Sequence, residues 1–178
     1  GDLPDAIAPC LKAPTSGGST GRPKLILSGM RGVSSKVIPQ VGGWRLTPDS
    51  IALMPAPLYH NAGFGMMLAC LGVGAHLVVL PKFDPENVLA EIERWKGTWI
   101  YVVPTMMNRI WRLPDEVKAK YDLSSLVTLW HLAAPCPPWL KEAFIHWVGP
   151  DTVMELYGGT EGVSSTTITG REWLEHKG

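Results

Sequence analysis

Five short apolar runs recur along the chain with helical patterns between them, and this alternation limits the fold more than any other feature. The runs are IALMP (51–55), HLVVL (76–80), WIYVV (99–103), LVTLWHLA (126–133) and TVMEL (152–156). Their length, their bounding Pro and Gly, and their β-branched and aromatic content suit buried strands. In DPENVLAEIERWKG, Asp84 can cap a helix, Pro85 fits its first position and Gly97 stops it, with Val88, Leu89, Ile92 and Trp95 on one face. PPWLKEAFIHWVG carries a similar stripe of Trp139, Leu140, Ala143, Phe144 and Trp147 and ends at Gly149. TMMNRIWRL is expected to start on a cap at Thr105 and to group Met107, Ile110 and Trp111. Strands that are apolar throughout, alternating with helices, mean a mainly parallel sheet with helices on both faces. The fold class is therefore α/β, as one segment over residues 1–178. In such sheets ligands sit at the carboxyl ends of the strands, so the loops after the runs are where chemistry is sought.

Charge excludes several partners. Sixteen basic and sixteen acidic residues cancel, so nothing marks a nucleic-acid or polybasic membrane surface. Residues 50–81 contain no Asp, Glu, Lys or Arg. A spanning helix needs about twenty mostly apolar residues. Here Pro55, Pro57, His60, Asn61, four glycines and His76 interrupt the run, so buried helix and strand are expected and no transmembrane segment. The eight tryptophans serve packing. Cys10, Cys70 and Cys136 are odd in number, widely spaced and lack a C-x-x-C, which points to a reducing, cytoplasmic setting. The histidines form no zinc spacing, and there is no G-x-S-x-G elbow. Cys136 has no nameable catalytic partner and reads as a buried, inert thiol.

TSGGSTGRPK (residues 15–24) precedes all of this. By composition it is either a flexible Gly/Ser linker or a phosphate cradle. Gly17, Gly18 and Gly21 allow close backbone approach, Thr15, Ser16, Ser19 and Thr20 offer hydroxyls, and Lys24 a point charge. The P-loop pattern G-x-x-x-x-G-K-[ST] fails in both registers. From Gly17 the sixth position is Arg22, and from Gly18 it is Pro23.

The stretch resembles the phosphate loop of the adenylate-forming superfamily, [ST]-[SG]-G-[ST]-[ST]-T-G-x-P-K, found in acyl- and aryl-CoA ligases, luciferase-like enzymes and peptide-synthetase adenylation domains. Three further segments fall in the family's order. PAPLYHNAGF (55–64) is similar to its P-x-x-H-x-x-G, with His60 at the residue that lines the carboxylate end of the acyl pocket. ELYGGTEG (155–162) is similar to its Y-G-x-T-E. There the resemblance implies an adenine face from Tyr157, close approach at Gly158 and Gly159, a phosphate contact from Thr160 and Mg²⁺ held by Glu161. Ala133, Ala134 and Pro135 stand in the place of its Gly-Ala-Pro adenine loop, with Ala where the family has Gly. Strand-end packing is the plain alternative for this last segment.

The resemblance implies an acyl-CoA synthetase of the AMP-forming, fatty-acyl type, using a small carboxylic acid, ATP, Mg²⁺ and coenzyme A. Lys24, His60, Thr160 and Glu161 are its expected catalytic residues. In the family an Asp for the ribose and a small C-terminal domain with a catalytic Lys follow Y-G-x-T-E. The chain is expected to be a central piece of the large domain, inactive by itself and completed by the rest of its polypeptide. The alternatives are a non-catalytic nucleotide-binding module and an adenylation domain with an acceptor other than coenzyme A.

Overall fold

The computed structural model describes residues 9–15, 21–29, 43–160 and 164–177. Six strands form one sheet: β1 (Ile51–Met54), β2 (His76–Val79), β3 (Trp99–Val102), β4 (Thr128–His131), β5 (Val153–Gly158) and β6 (Ser165–Thr169). The order across it is β2-β1-β3-β4-β5-β6. The first five are parallel and β6 runs antiparallel to β5. The helices are α1 (Asn61–Val73), α2 (Pro85–Trp95), α3 (Pro104–Trp111), α4 (Asp115–Lys118), α5 (Pro138–Val148) and α6 (Gly170–Glu175).

Side-chain alternation along each strand splits the core into two layers. Leu53, Ile100, Val102, Leu129 and Val153 pack against α2, α3, α5 and Trp173 of α6. Ala52, Met54, Trp99, Tyr101, Trp130 and Met154 pack against Met66, Ala69 and Cys70 of α1. Segment 43–50 is stitched to this second layer. The Trp44 carbonyl accepts from the indole N–H of both Trp99 (2.8 Å) and Trp130 (3.0 Å). Two large rings are thereby buried with their donors satisfied.

Several element ends differ from the sequence reading. Asp84 does cap α2, accepting from the Asn87 amide at 2.9 Å. The left-handed residue that ends α2 is Lys96 (φ 52°), one before Gly97. Gly97 is needed for another reason: a Cβ there would lie 2.1 Å from Leu53 Cδ1. Helix α3 starts at Pro104 with Val103 as a cap lacking a side-chain bond, so Thr105 lies inside it. The N–H that proline lacks is one a helix start leaves unpaired anyway. β4 is shorter than its apolar run, whereas β5 extends to Gly158 because β6 pairs with it up to Gly158↔Ser165. β2 is a half-exposed edge strand, its end residues His76 and Val79 open to solvent. Among the described residues no helix is long and apolar enough to cross a membrane.

Candidate functional site

The connection from β1 to β2 carries α1 on one face, and the later connections carry α2, α3 and α5 on the other. The chain thus moves outward in opposite directions from the boundary between β1 and β3. The crevice at such a reversal, beyond the carboxyl ends of the strands, is where doubly wound sheets take ligands. A cavity of about 800 Å³ lies there. Its walls combine the β1–α1 connection, α1, the end of β3, and the loops after β4 and β5.

The His60 segment is shaped by one close approach. His60 is the N-cap of α1 but makes no side-chain cap bond, and its ring lies 4.5 Å from that of Tyr59. The chain turns so tightly here that a Cβ on Gly63 would stand 2.4 Å from the Pro57 carbonyl oxygen. Pro57, His60 and Gly63 are therefore parts of one turn, which accounts for their spacing. His60 and Asn61 line the cavity, and Asn61 Oδ1 is buried without a partner among the described residues.

Ala133, at the end of β4, holds φ at +76°. An L-residue pays about 1–2 kcal/mol for that left-handed geometry, and glycine avoids the clash. Ala133 lines the cavity, whereas Ala134 and Pro135 are exposed outside its lining. From β5, Leu156, Gly158, Gly159 and Thr160 line it. Tyr157 follows the opposite parity, on the side of Val153 and Glu155, and is 81% exposed. Its ring is open for stacking, outside the cavity proper.

The segments that flank the glycine-rich stretch pair with each other in antiparallel fashion. Thr15 and Leu25 form a bridge, the Ile26 amide donates to the Pro14 carbonyl (2.8 Å) and the Ser28 amide to Lys12 (3.0 Å). A linker would leave these flanks unpaired. Gly21 takes φ +84° in open space, and Lys24 is exposed. Leu11 and Lys12, on the N-terminal flank, reach the cavity lining. Ser16, Gly17, Gly18, Ser19, Thr20 and Glu161 lie outside the described residues.

The polar cavity residues Lys12, Asn61, Tyr101, Ser164 and Ser165 escaped the sequence reading. Burial lowers the Lys12 ammonium pKa and pushes the Tyr101 phenol up to about 12. Tyr101 shares parity with Trp99 in β3, and that parity could have placed it on the cavity side. Lys12 precedes the glycine-rich stretch without any pattern to mark it. Trp44, Phe64, Met66, Val103 and Met106 make apolar stretches of the walls, and Ser164 and Ser165 add hydroxyls. Among the described residues no group of three His, Cys, Asp or Glu could hold a metal.

Comparisons with known proteins show which family the chain belongs to. A feruloyl-CoA synthase of Amycolatopsis sp is 33% identical over 178 residues, covering 99% of this chain and 35% of that protein. The structure of amide bond synthetase McbA from Marinactinospora thermotolerans superposes with a TM-score of 0.75 at 28% identity, over 90% of this chain and 32% of that one. ATP-bound MatB from Rhodopseudomonas palustris gives 0.70 at 26% identity, over 89% and 31%. This chain therefore spans about a third of the length of each. The model of the family described as AMP-binding enzyme matches residues 13–177, and the chain belongs to that family.

Proposed function

We propose that this chain supplies the nucleotide- and acid-facing centre of a ligase that activates a carboxylic acid as an acyl-adenylate and passes the acyl group to coenzyme A. The observation that carries the reading is the meeting, at one reversal of strand order, of the His60 turn, Ala133, residues Gly158 to Thr160 after β5, and Leu11 and Lys12 on the flank of the glycine-rich stretch.

A carboxylate is a poor acyl donor because oxide would have to leave. In the proposed first step its oxygen bonds to the α-phosphorus of ATP, and the bond to the bridging oxygen breaks, releasing pyrophosphate. The thiol sulfur of coenzyme A then bonds to the acyl carbon, AMP departs, and the thiol proton passes to solvent. The protein's part is alignment and charge stabilisation. His60 would orient the carboxylate. The hydroxyls and amides of residues 15–21 and Lys24 would hold the outer phosphates, and Thr160 the α-phosphate. Tyr157 and residues 133–135 would hold the base. Mg²⁺ would fall to Glu161, where it would supply positive charge to the phosphates. The apolar walls suit an aliphatic or aromatic acid.

The test uses the full-length protein carrying this sequence, ATP, and a panel of carboxylic acids, with pyrophosphate release and hydroxamate trapping as readouts. Acid-dependent pyrophosphate release is expected, falling about 10²-fold in a Lys24→Ala variant. Its absence with every acid sinks the reading. Adding coenzyme A or an amine in parallel, with product masses measured, decides the acceptor. A thioester supports the proposal, and an amide with no thioester replaces it. The 178-residue piece alone is expected to release no pyrophosphate.

A further inference from the structure

On the face opposite the cavity, β4 and β5 carry polar residues. His131 and Glu155 are register partners in the parallel ladder. Both are on the side of Leu129 and Val153, which pack against α5. Lys141 of α5 is only 1% exposed, and its ammonium pairs with Glu155 Oε2 while standing 4.9 Å from the centroid of the Trp173 ring. His131 is fully buried, and neither ring nitrogen has a partner among the described residues. Burial lowers its pKa against the pull of Glu155, so at neutral pH Lys141 is the counter-charge of Glu155.

This ion pair closes a ring in the chain. From His131 the backbone runs through loop 132–137 into α5, across Lys141 to Glu155, and back through the β4–β5 ladder to His131. The loop is thus pinned at one end by the ladder and at the other by the helix. An ion pair that buries its lysine and leaves its carboxylate 27% exposed is seldom kept for stability, since apolar residues of similar volume often serve as well or better. Its best-supported use is to fix one arrangement among several.

We propose that Lys141 and Glu155 are positioning residues that lock loop 132–137 against the end of β5, and so set the gap between Ala133 and Tyr157. In the ligase reading, on which the functional part of this inference rests, that gap receives the nucleotide base. The pair touches no substrate; it acts through the loop. Cys136 reports on the loop directly, because its thiol is half-buried and lies within reach of the charges of both Glu155 and Lys141. Cys70, buried beneath the other face, is an internal control.

The experiment takes the full-length protein and the Lys141→Met/Glu155→Leu double variant, and measures alkylation of each cysteine by peptide mass mapping. With the melting temperature near that of the parent, Cys136 is expected to react about tenfold faster and Cys70 at an unchanged rate, as local opening requires. In the same variant KM for ATP should rise about tenfold while KM for the acid stays within about twofold, a split that loss of fold would not give. An unchanged Cys136 rate, or equal acceleration at Cys136 and Cys70, overturns the proposal. If the double variant does not fold, Glu155→Gln, which keeps the shape and removes the charge, is read by the same rates. If the parent enzyme shows no adenylation, the ligase reading falls, but the cysteine rates still decide whether the pair locks the loop.

Discussion

The two sides of β4 and β5 are built from alternate residues of the same strands, yet they do opposite things. Trp130, Leu132, Met154, Leu156 and Gly158 face α1 and the cavity, with apolar or no side chains. Leu129, His131, Val153 and Glu155 face α5, where a histidine and a lysine are buried and the lysine is paired with the partly exposed Glu155. An apolar wall can accept a ligand without competing for its polar groups. A sealed polar cluster tolerates few arrangements, because every unmet group is costly. One side is left free to bind and the other holds the binding loops still.

The largest effect expected on the sealed side is a pH dependence. Burial, opposed by the Glu155 charge, pushes His131 down to about 4. The unfolded chain takes up the proton near pH 6.5, and the folded chain only near pH 4. The stability held by the neutral form is therefore complete above pH 6.5 and falls as the pH drops from 6.5 toward 4. One unmatched proton sets a slope approaching ~1.4 kcal/mol per pH unit. Urea midpoints of the parent and a His131→Leu variant across this range make the comparison. The parent should lose stability on acidification and the variant should show a flatter profile. Parallel curves would mean that His131 is not the group titrating.

On the cavity side the sharper probe is Gly63. A methyl there would meet the Pro57 carbonyl oxygen at 2.4 Å, and backbone cannot swing aside as a side chain can. Gly63→Ala is expected to cost about 2 kcal/mol, overpacking outweighing the helix preference of alanine. Displacement of His60 should lower acid activation at the same time. Gly65, a little further along α1, has open space around its Cβ position. Gly65→Ala should instead stabilise the fold by about 0.5–1 kcal/mol. Equal effects of the two substitutions, by thermal unfolding, would show that the Pro57 contact does not set the turn.

The same division explains what could be read from the residues. The strands between Ile51 and Val153 followed from short apolar runs, since β1, β3 and β4 are buried on both faces, and the helices α2 and α5 from a striped face with Pro and Gly at their ends. Helix α1 did not stand out as a helix: with Met66, Ala69 and Cys70 in the core and Phe64 and Leu68 on the cavity, it has no polar face to mark a period. β6 was missed because Ser-Thr-Thr-Ile-Thr is largely exposed and, among the described residues, pairs with β5 alone. In the site, His60, Ala133, Gly158, Gly159 and Thr160 were legible through spacing that matches a family, and the structure brings them to one cavity. Lys141 was hidden by its type. A lysine within an amphipathic helix reads as solvent-facing, and only the Glu155 carboxylate across from it makes burial tolerable.

The smallest predicted effect tests whether the two sides meet at Ala133. This residue leaves the locked strand end and turns into the cavity with φ at +76°. Ala133→Gly removes the left-handed strain, worth about 1–2 kcal/mol, but returns about 0.5–1 kcal/mol through the greater freedom of the unfolded glycine. A net gain of about 0.5 kcal/mol is expected in urea unfolding. If the Lys141–Glu155 pair imposes the conformation on the loop, relief of strain should be larger with the pair intact than in the Lys141→Met/Glu155→Leu background, where the loop can relax by itself. Coupling between contacting sites is commonly at least about 0.5 kcal/mol, so the difference is measurable by a double-mutant cycle. Equal gains in both backgrounds would show that the turn at Ala133 is set locally, by the chain leaving β4, and that the sealed side stops at the strand end.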